Sequence, residues 1–383
     1  MKLHKIIFQN LFFLLACLSL QVYAQSLGDR AATKETRALY QNMQRLSKKY
    51  TLFGHQDDLA YGVNWKYVPG RSDILDVVND FPAVYGWDLG RIEHDSLKNI
   101  DGVPFTKMKK YIQEGYQRGG IITLSWHFDN PLTKGSSWDT TKNTVASILP
   151  GGAKHELFVS WLDRAAKFMQ SLKGKRNEPI PILFRPFHEL TGDWFWWGKQ
   201  AASPEEIKKI WRFTVDYLRN KKQLHNLIIV YNTNGFKDEA EFLSRYPGDD
   251  LADILSFDLY QFDNQSSKNF IDSVRYELTV LGKIAKEKNK PMAFAETGYE
   301  AVPIANWWTG TLWPAISGFP LSYVLVWRNA GYMPSMKKMH YYAPFKGQIS
   351  AVDFKKFYGN PKIGFEKKLA KQKIYSNSTP DKR

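Results

Sequence analysis

Two glutamates on separate apolar runs are the residues of this chain best placed to do chemistry. The stretch from Ile182 to Gly198 opens with Ile182, Leu183 and Phe184, then turns polar at Arg185, His188 and Glu189. Three tryptophans, Trp194, Trp196 and Trp197, follow in the loop behind it. A second apolar run, Pro291 to Ala295, stops at Glu296. Cleavage of a glycosidic bond needs a carboxylic acid to protonate the leaving oxygen and a carboxylate on the other face of the sugar. Glu189 suits the acid, because Phe184, Phe187 and the tryptophans would strip water from it and raise its pKa. Glu296 suits the nucleophile if Tyr260 or an imidazole donates to it. The competing reading of either glutamate is a buried carboxylate paired to an arginine, and Arg185 is close in sequence.

Other chemistries find less support. His188-Glu189 continues as Leu190-Thr191-Gly192, so it does not begin a His-Glu-x-x-His zinc helix. The eight histidines show no metal-ligand spacing, and neither a Gly-x-Ser-x-Gly elbow nor a Walker loop occurs. No metal and no cofactor is expected. Trp194, Trp196, Trp197 and Trp327 have flat faces that could stack on pyranose rings, although a single tryptophan is more often core. Trp194 lies on a loop bracketed by Gly192 and Gly198, and Trp327 ends an apolar run before Arg328. For these two the platform reading is preferred.

Such residues need a scaffold, and the pattern of apolar runs supplies one. Eight strand-like segments are expected at Leu52–Gln56, Ala83–Leu89, Ile121–Phe128, Ile182–Phe187, Leu227–Asn232, Ile254–Tyr260, Met292–Glu296 and Tyr323–Trp327. Helical segments alternate with them: Ala31–Tyr50, Phe105–Arg118, His155–Leu172, a capped start at Ser203-Pro204, Asp272–Lys288 and Asn306–Ile316. Alternation of this kind predicts a single α/β domain closed as a (β/α)8 TIM barrel. An open doubly wound sheet is the alternative, but Gly54-His55-Gln56 is no phosphate-binding turn. In a barrel, catalytic groups sit at the C-terminal ends of strands. The polar residues that interrupt these runs fall at such ends: His55, Asp88, His127, His188 with Glu189, Asn232, Asp258 with Tyr260, Glu296, and Trp327 with Arg328. One polar, aromatic-lined cleft is the expectation.

The first 24 residues read as a secretory signal, with Lys2 and Lys5, an apolar stretch from Ile6 to Leu20, and a small residue at Ala24. Residues 25–383 then form the barrel domain, and the only cysteine, Cys17, is lost with the leader. A lipoprotein anchored through Cys17 is the alternative. Either way the product is exported, periplasmic or secreted. No later run approaches the ~20 apolar residues of a membrane span. The formal charge is +15, and loss of Lys2 and Lys5 lowers it by two. The excess is dispersed over helix faces without any nucleic-acid-binding signature, so nucleic acid is not an expected partner. The bland reading is solubility with some affinity for anionic envelope surfaces.

From about Phe53 to about Tyr358 the chain resembles glycoside hydrolase family 26, whose main activity is endo-β-1,4-mannanase. The resemblance rests on Arg185-Pro186-Phe187-His188-Glu189, Gly192-Asp193-Trp194-Phe195-Trp196-Trp197-Gly198, Ser256-Phe257-Asp258-Leu259-Tyr260, Glu296-Thr297-Gly298 and Val326-Trp327-Arg328-Asn329. It implies a retaining double displacement with Glu189 as acid/base after strand 4 and Glu296 as nucleophile after strand 7. His188 and Tyr260 would orient sugar and nucleophile, Trp327 would floor the cleavage subsite, and Trp194 would stack on the leaving-group side. His127, Asp258 and Arg328 would bind on the non-reducing side. His340 matches a further substrate contact, and Trp87, Asp88 and Glu93 would line distant subsites.

The implied partner is a β-mannan polysaccharide or manno-oligosaccharide, acted on by a monomer. Related members cleave β-1,3-xylan or mixed-linkage β-glucan, so another glycan stays open. A catalytically silent carbohydrate-binding protein would keep the tryptophans without needing both glutamates. A protein that binds anionic envelope polymers would explain the charge but not the strand-end residues.

Overall fold

The computed structural model describes residues 27–376. The expected signal segment, its expected cleavage point after Ala24 and Cys17 lie outside the described residues. Eight strands form the barrel: β1 (Thr51–Gln56), β2 (Val84–Asp88), β3 (Ile121–Ser125), β4 (Ile182–Arg185), β5 (Leu227–Asn234), β6 (Ile254–Gln261), β7 (Met292–Tyr299) and β8 (Leu321–Val326). Every neighbouring pair is parallel and in sequence order. The sheet closes where β1 pairs with β8, Leu52 opposite Tyr323 through His55 opposite Val326. That closure excludes the open doubly wound sheet.

The longer helices are α1 (Lys34–Ser47), α2 (Phe105–Arg118), α3 (His155–Gln170), α4 (Pro204–Asp216) and α5 (Ser267–Glu287). α4 starts as its sequence prescribes. Ser203 accepts from Glu206 N while the Glu206 side chain accepts from Ser203 N, with Pro204 in the first turn. The expected helix at Asn306–Ile316 is present as one continuous stretch, a wide π-helical turn at Trp308–Leu312 that runs directly into an α-helical turn at Trp313–Ile316. No helix of the described residues is long and apolar enough to cross a membrane.

Strand alternation divides the core into two layers. Leu52, Val84, Ile121, Leu183, Ile228, Val230, Ile254, Ala293, Tyr323 and Leu325 point inward and pack together with α1, which closes the bottom of the barrel. Their neighbours Phe53, Tyr85, Ile122, Phe184, Ile229, Leu255, Phe294 and Val324 point outward into the helix layer. Continuing the inward set upward gives Asp88, Arg185, Asn232, Asp258 and Tyr260, so the alternation that fills the barrel also aims these groups into its mouth.

Candidate active site

Glu296 breaks the alternation, and a bulge restores it. Ala293 and Ala295 are both inward, so Glu296 should face the helices. The register runs Phe257 opposite Phe294, then Asp258 opposite Glu296, which leaves Ala295 without a partner on β6. The pairing with β8 shifts at the same place, from Val324 opposite Phe294 to Val326 opposite Thr297. This β-bulge turns Glu296 back into the barrel mouth, beside Asp258. Below it, Phe257 and Phe294 stack at 4.7 Å on the outer face and fix the two strands.

Glu189 is aimed by backbone strain. Phe187 and Glu189 both take left-handed conformations, at φ 49° and 55°, which non-glycine residues adopt only when their surroundings hold them. Asn232 Oδ1 accepts from Glu189 N at 3.0 Å, and Trp197 Nε1 donates to His188 O at 2.8 Å. Phe187 is buried among Phe128, Trp196, Trp197 and Trp211.

The two glutamates then meet. One oxygen from each of Glu189, Asp258 and Glu296 lies within 4.8 Å of the others. Arg185 stands among them: its Nη1 donates to Asp258 Oδ2 at 2.9 Å and its Nη2 pairs with Glu296 Oε1. The hydroxyl of Tyr260 donates to Glu296 Oε2 at 3.0 Å. Glu296 therefore has a donor on each oxygen, an arrangement that suits a carboxylate anion. Glu189 has one, the indole N–H of Trp194 at 2.6 Å on Oε2. Burial and the nearby Glu296 push the Glu189 pKa up to about 7. Two carboxyl groups thus face each other in different environments, one equipped to hold a proton and one to stay charged.

An imidazole relay forms the next wall. Asp88 Oδ2 accepts from His127 Nδ1 at 2.7 Å, and Asp88 also accepts from Ser125 Oγ and Gly90 N. Burial opposes the Asp88 charge, but these donors hold its pKa down to about 2. Burial likewise opposes a charge on His127, and Asp88 outweighs it and raises the pKa. His127 Nε2 lies 3.0 Å from His188 Nε2. Burial and the neighbouring His127 and Arg185 push His188 well below the usual histidine range, so it is neutral. A protonated His127 donating to the His188 Nε2 lone pair puts the His188 proton on Nδ1, a buried group without a partner among the described residues.

Trp194 and Trp327 are half-buried, whereas Trp196 and Trp197 are fully buried core. Trp327 lies edge-on to His127 at 6.3 Å. Arg328 is half-buried and paired with Asp101 at 2.8 Å, within reach of the Tyr61 hydroxyl at 3.5 Å. His340 Nδ1 bonds Glu300 at 2.7 Å, and its ring meets Tyr342 edge-on at 5.2 Å.

Asp258 is fully buried, with its oxygens turned to Arg185 and Asn232 beside Glu296. Three expectations need correction. Trp87 points outward and stacks on Tyr111 at 5.9 Å, because it follows Gly86 on the strand and so falls in the helix layer. Glu93 is buried against Trp126 Nε1 and Asp129 N, and lines no open subsite. His55 also points outward and bonds Asp58 at 2.7 Å, so one of the strand-end polar residues lies outside the cleft. The sequence reading also missed Trp138, which is 51% exposed and stacks on His127 at 5.5 Å. A tryptophan between Ser137 and Asp139 in a polar loop was the available signal.

Known proteins share this arrangement of chain. A mannan endo-1,4-beta-mannosidase of Bifidobacterium adolescentis is 34% identical over 281 residues, 71% of this chain and 28% of that protein. One from Thermothelomyces thermophilus is 31% identical over 77% of this chain and 57% of its own length. The chain therefore spans between about a quarter and three fifths of these relatives. A solved family 26 beta-mannanase from Bacteroides ovatus superposes with a TM-score of 0.84 at 47% identity, covering 88% of this chain and 97% of that one. Residues 29–297 match the family described as Glycosyl hydrolase family 26, a span that begins before α1 and ends just past Glu296. With its barrel, its bulged β7 and its paired glutamates, the chain belongs to glycosyl hydrolase family 26.

Proposed function

We infer that this protein is an exported, monomeric, retaining endo-β-1,4-mannanase acting on mannan, galactomannan or glucomannan. The observation that carries the reading is the pairing of Glu189, with its pKa near 7, and Glu296, doubly donated, with oxygens within 4.8 Å. Retaining glycosidases hold their carboxyl groups about 5–5.5 Å apart, whereas inverting enzymes leave room for a water between them.

In the first step Glu296 attacks the anomeric carbon while Glu189 gives its proton to the departing oxygen. The bond to the leaving sugar breaks and a glycosyl ester of Glu296 forms. In the second step Glu189, now a carboxylate, takes a proton from water as that water attacks the same carbon and frees Glu296. Tyr260 and Arg185 orient Glu296 for the attack and receive the carboxylate again when the ester is hydrolysed. His188 orients the sugar in the cleavage subsite. Trp327 floors that subsite, Trp194 stacks on the leaving-group side, and His127, Arg328 and His340 contact the non-reducing side. The leader to Ala24 accounts for export.

The test is a substrate panel. The purified chain is incubated with linear mannan, galactomannan, glucomannan, β-1,3-xylan and mixed-linkage β-glucan, and the products are sized. Internal cleavage of mannans with little action on the other two is expected. Preferential cleavage of xylan or glucan would overturn the substrate, and inertness on all five would overturn the activity.

A further inference from the structure

We propose that the end of the barrel opposite the catalytic cleft is a docking face for an anionic membrane surface. α1 lies across this end. Its inner side, with Leu39, Met43 and Leu46, packs into the barrel bottom, and its outer side carries the exposed Lys34 and Arg37. Beside it run two adjoining grooves of about 490 and 330 Å³ that share Ser47, Lys48 and Pro320. Their charged lining is Arg45, Lys48, Lys49, Lys286, Lys290 and Lys362, and among the described residues no aspartate or glutamate lines either groove.

These cations are available. Arg45 donates only to the Asn42 amide oxygen, and Lys48, Lys49, Lys286 and Lys362 are exposed and pair with no carboxylate among the described residues. Elsewhere many lysines are neutralised, as Lys283 is by Glu239 and Lys268 by Asp272. The same face offers half-buried aromatic rings, Trp313 and Phe319, at the second groove. Lysines and arginines gathered on one face are drawn to anionic lipid within a Debye length, and aromatic rings seat at the headgroup level.

Trp313 and Phe319 favour a membrane over a soluble polyanion, because only a bilayer offers an interface for the rings to enter. Gly28 N donates to Asp253 Oδ1 at 2.8 Å and Thr33 N to His225 O at 2.8 Å. Asp253 and His225 lie just before β6 and β5, so Gly28 and Thr33 sit at the basic end. A membrane met by this face leaves Glu189 and Glu296 turned toward the polysaccharide.

The experiment uses the chain from Gln25 onward, which keeps every described element and carries no lipid. It is sedimented with vesicles of phosphatidylcholine alone, or of phosphatidylcholine mixed with phosphatidylglycerol. Binding to the mixed vesicles only, lost on raising the sodium chloride concentration, is expected. The combined substitution Lys48→Glu, Lys49→Glu and Lys362→Glu should weaken that binding roughly 10-fold or more, with the mannan hydrolysis rate unchanged. The milder Lys48→Gln, Lys49→Gln, Lys362→Gln variant replaces it if the charge reversal does not fold. Equal binding to neutral vesicles, no vesicle binding, binding to soluble dextran sulfate alone, or full binding by the variants would overturn the proposal. Mannan hydrolysis is measured separately, so failure here leaves the enzymatic reading untouched.

Discussion

The indole N–H of Trp194 donates to Glu189 Oε2 at 2.6 Å, so the proposed sugar platform also holds the proposed acid. Burial raises the Glu189 pKa, and this hydrogen bond lowers it by favouring the carboxylate. Trp194→Phe keeps an aromatic face but removes the donor. The Glu189 pKa should then rise above its value of about 7, moving the basic limb of the kcat/KM profile to higher pH. A pH series on mannan checks this, and an unmoved or lowered limb contradicts the hydrogen bond's role.

The two glutamates should fail differently. Glu189→Ala should cripple mannan hydrolysis but spare glycosylation by an aryl glycoside whose leaving group needs no proton. Glu296→Ala should abolish both. Pre-steady-state release of the aryl group measures the first step, and equal loss in both variants would sink the separate roles.

The tryptophans of one loop should divide by burial. Trp197 is fully buried, stacked on Phe128 at 5.1 Å and Phe195 at 4.4 Å, so Trp197→Ala should cost on the order of 3–5 kcal/mol of stability. Trp194 is half-buried, so Trp194→Ala should weaken mannan turnover while its melting temperature moves far less. Melting curves beside mannan kinetics decide, and a reversed pattern would make Trp194 core.

Much of this architecture was legible because period-two alternation and strand-end polarity are written residue by residue. All eight barrel strands were located, although β5, β6 and β7 run on to Asn234, Gln261 and Tyr299. Pairing with a neighbour, which no single segment reveals, extends them. The bulge at Ala295 was hidden for the same reason, since a bulge is a property of two strands. Arg185 posed a choice between ion pair and catalytic site. The structure contains the ion pair, made to Glu296 itself. Trp87 and His55 were misplaced because a strand-end residue shows its type but not its face until the register is known.

Stability should decline with alkalinity. Glu277, on α5, is buried with Oε2 unpartnered among the described residues, and burial raises its pKa from 4.5 to about 8. A carboxyl whose folded pKa is raised contributes stability that is complete below about 4.5 and is lost as pH rises through about 8. Glu189 adds a loss of the same sign through about 7. Glu277→Gln should flatten the fall in melting temperature across that window while preserving activity, and an unchanged slope would show that Glu277 does not titrate there.

The central claim is that Glu296 attacks the sugar directly and Glu189 protonates its departure. Proton NMR of a manno-oligosaccharide digest, recorded before the anomers equilibrate, tests it most directly. The account predicts that the new reducing ends emerge as the β-anomer, the configuration of the bond that was cut. First appearance of the α-anomer would mean a single inverting attack by water and would contradict it.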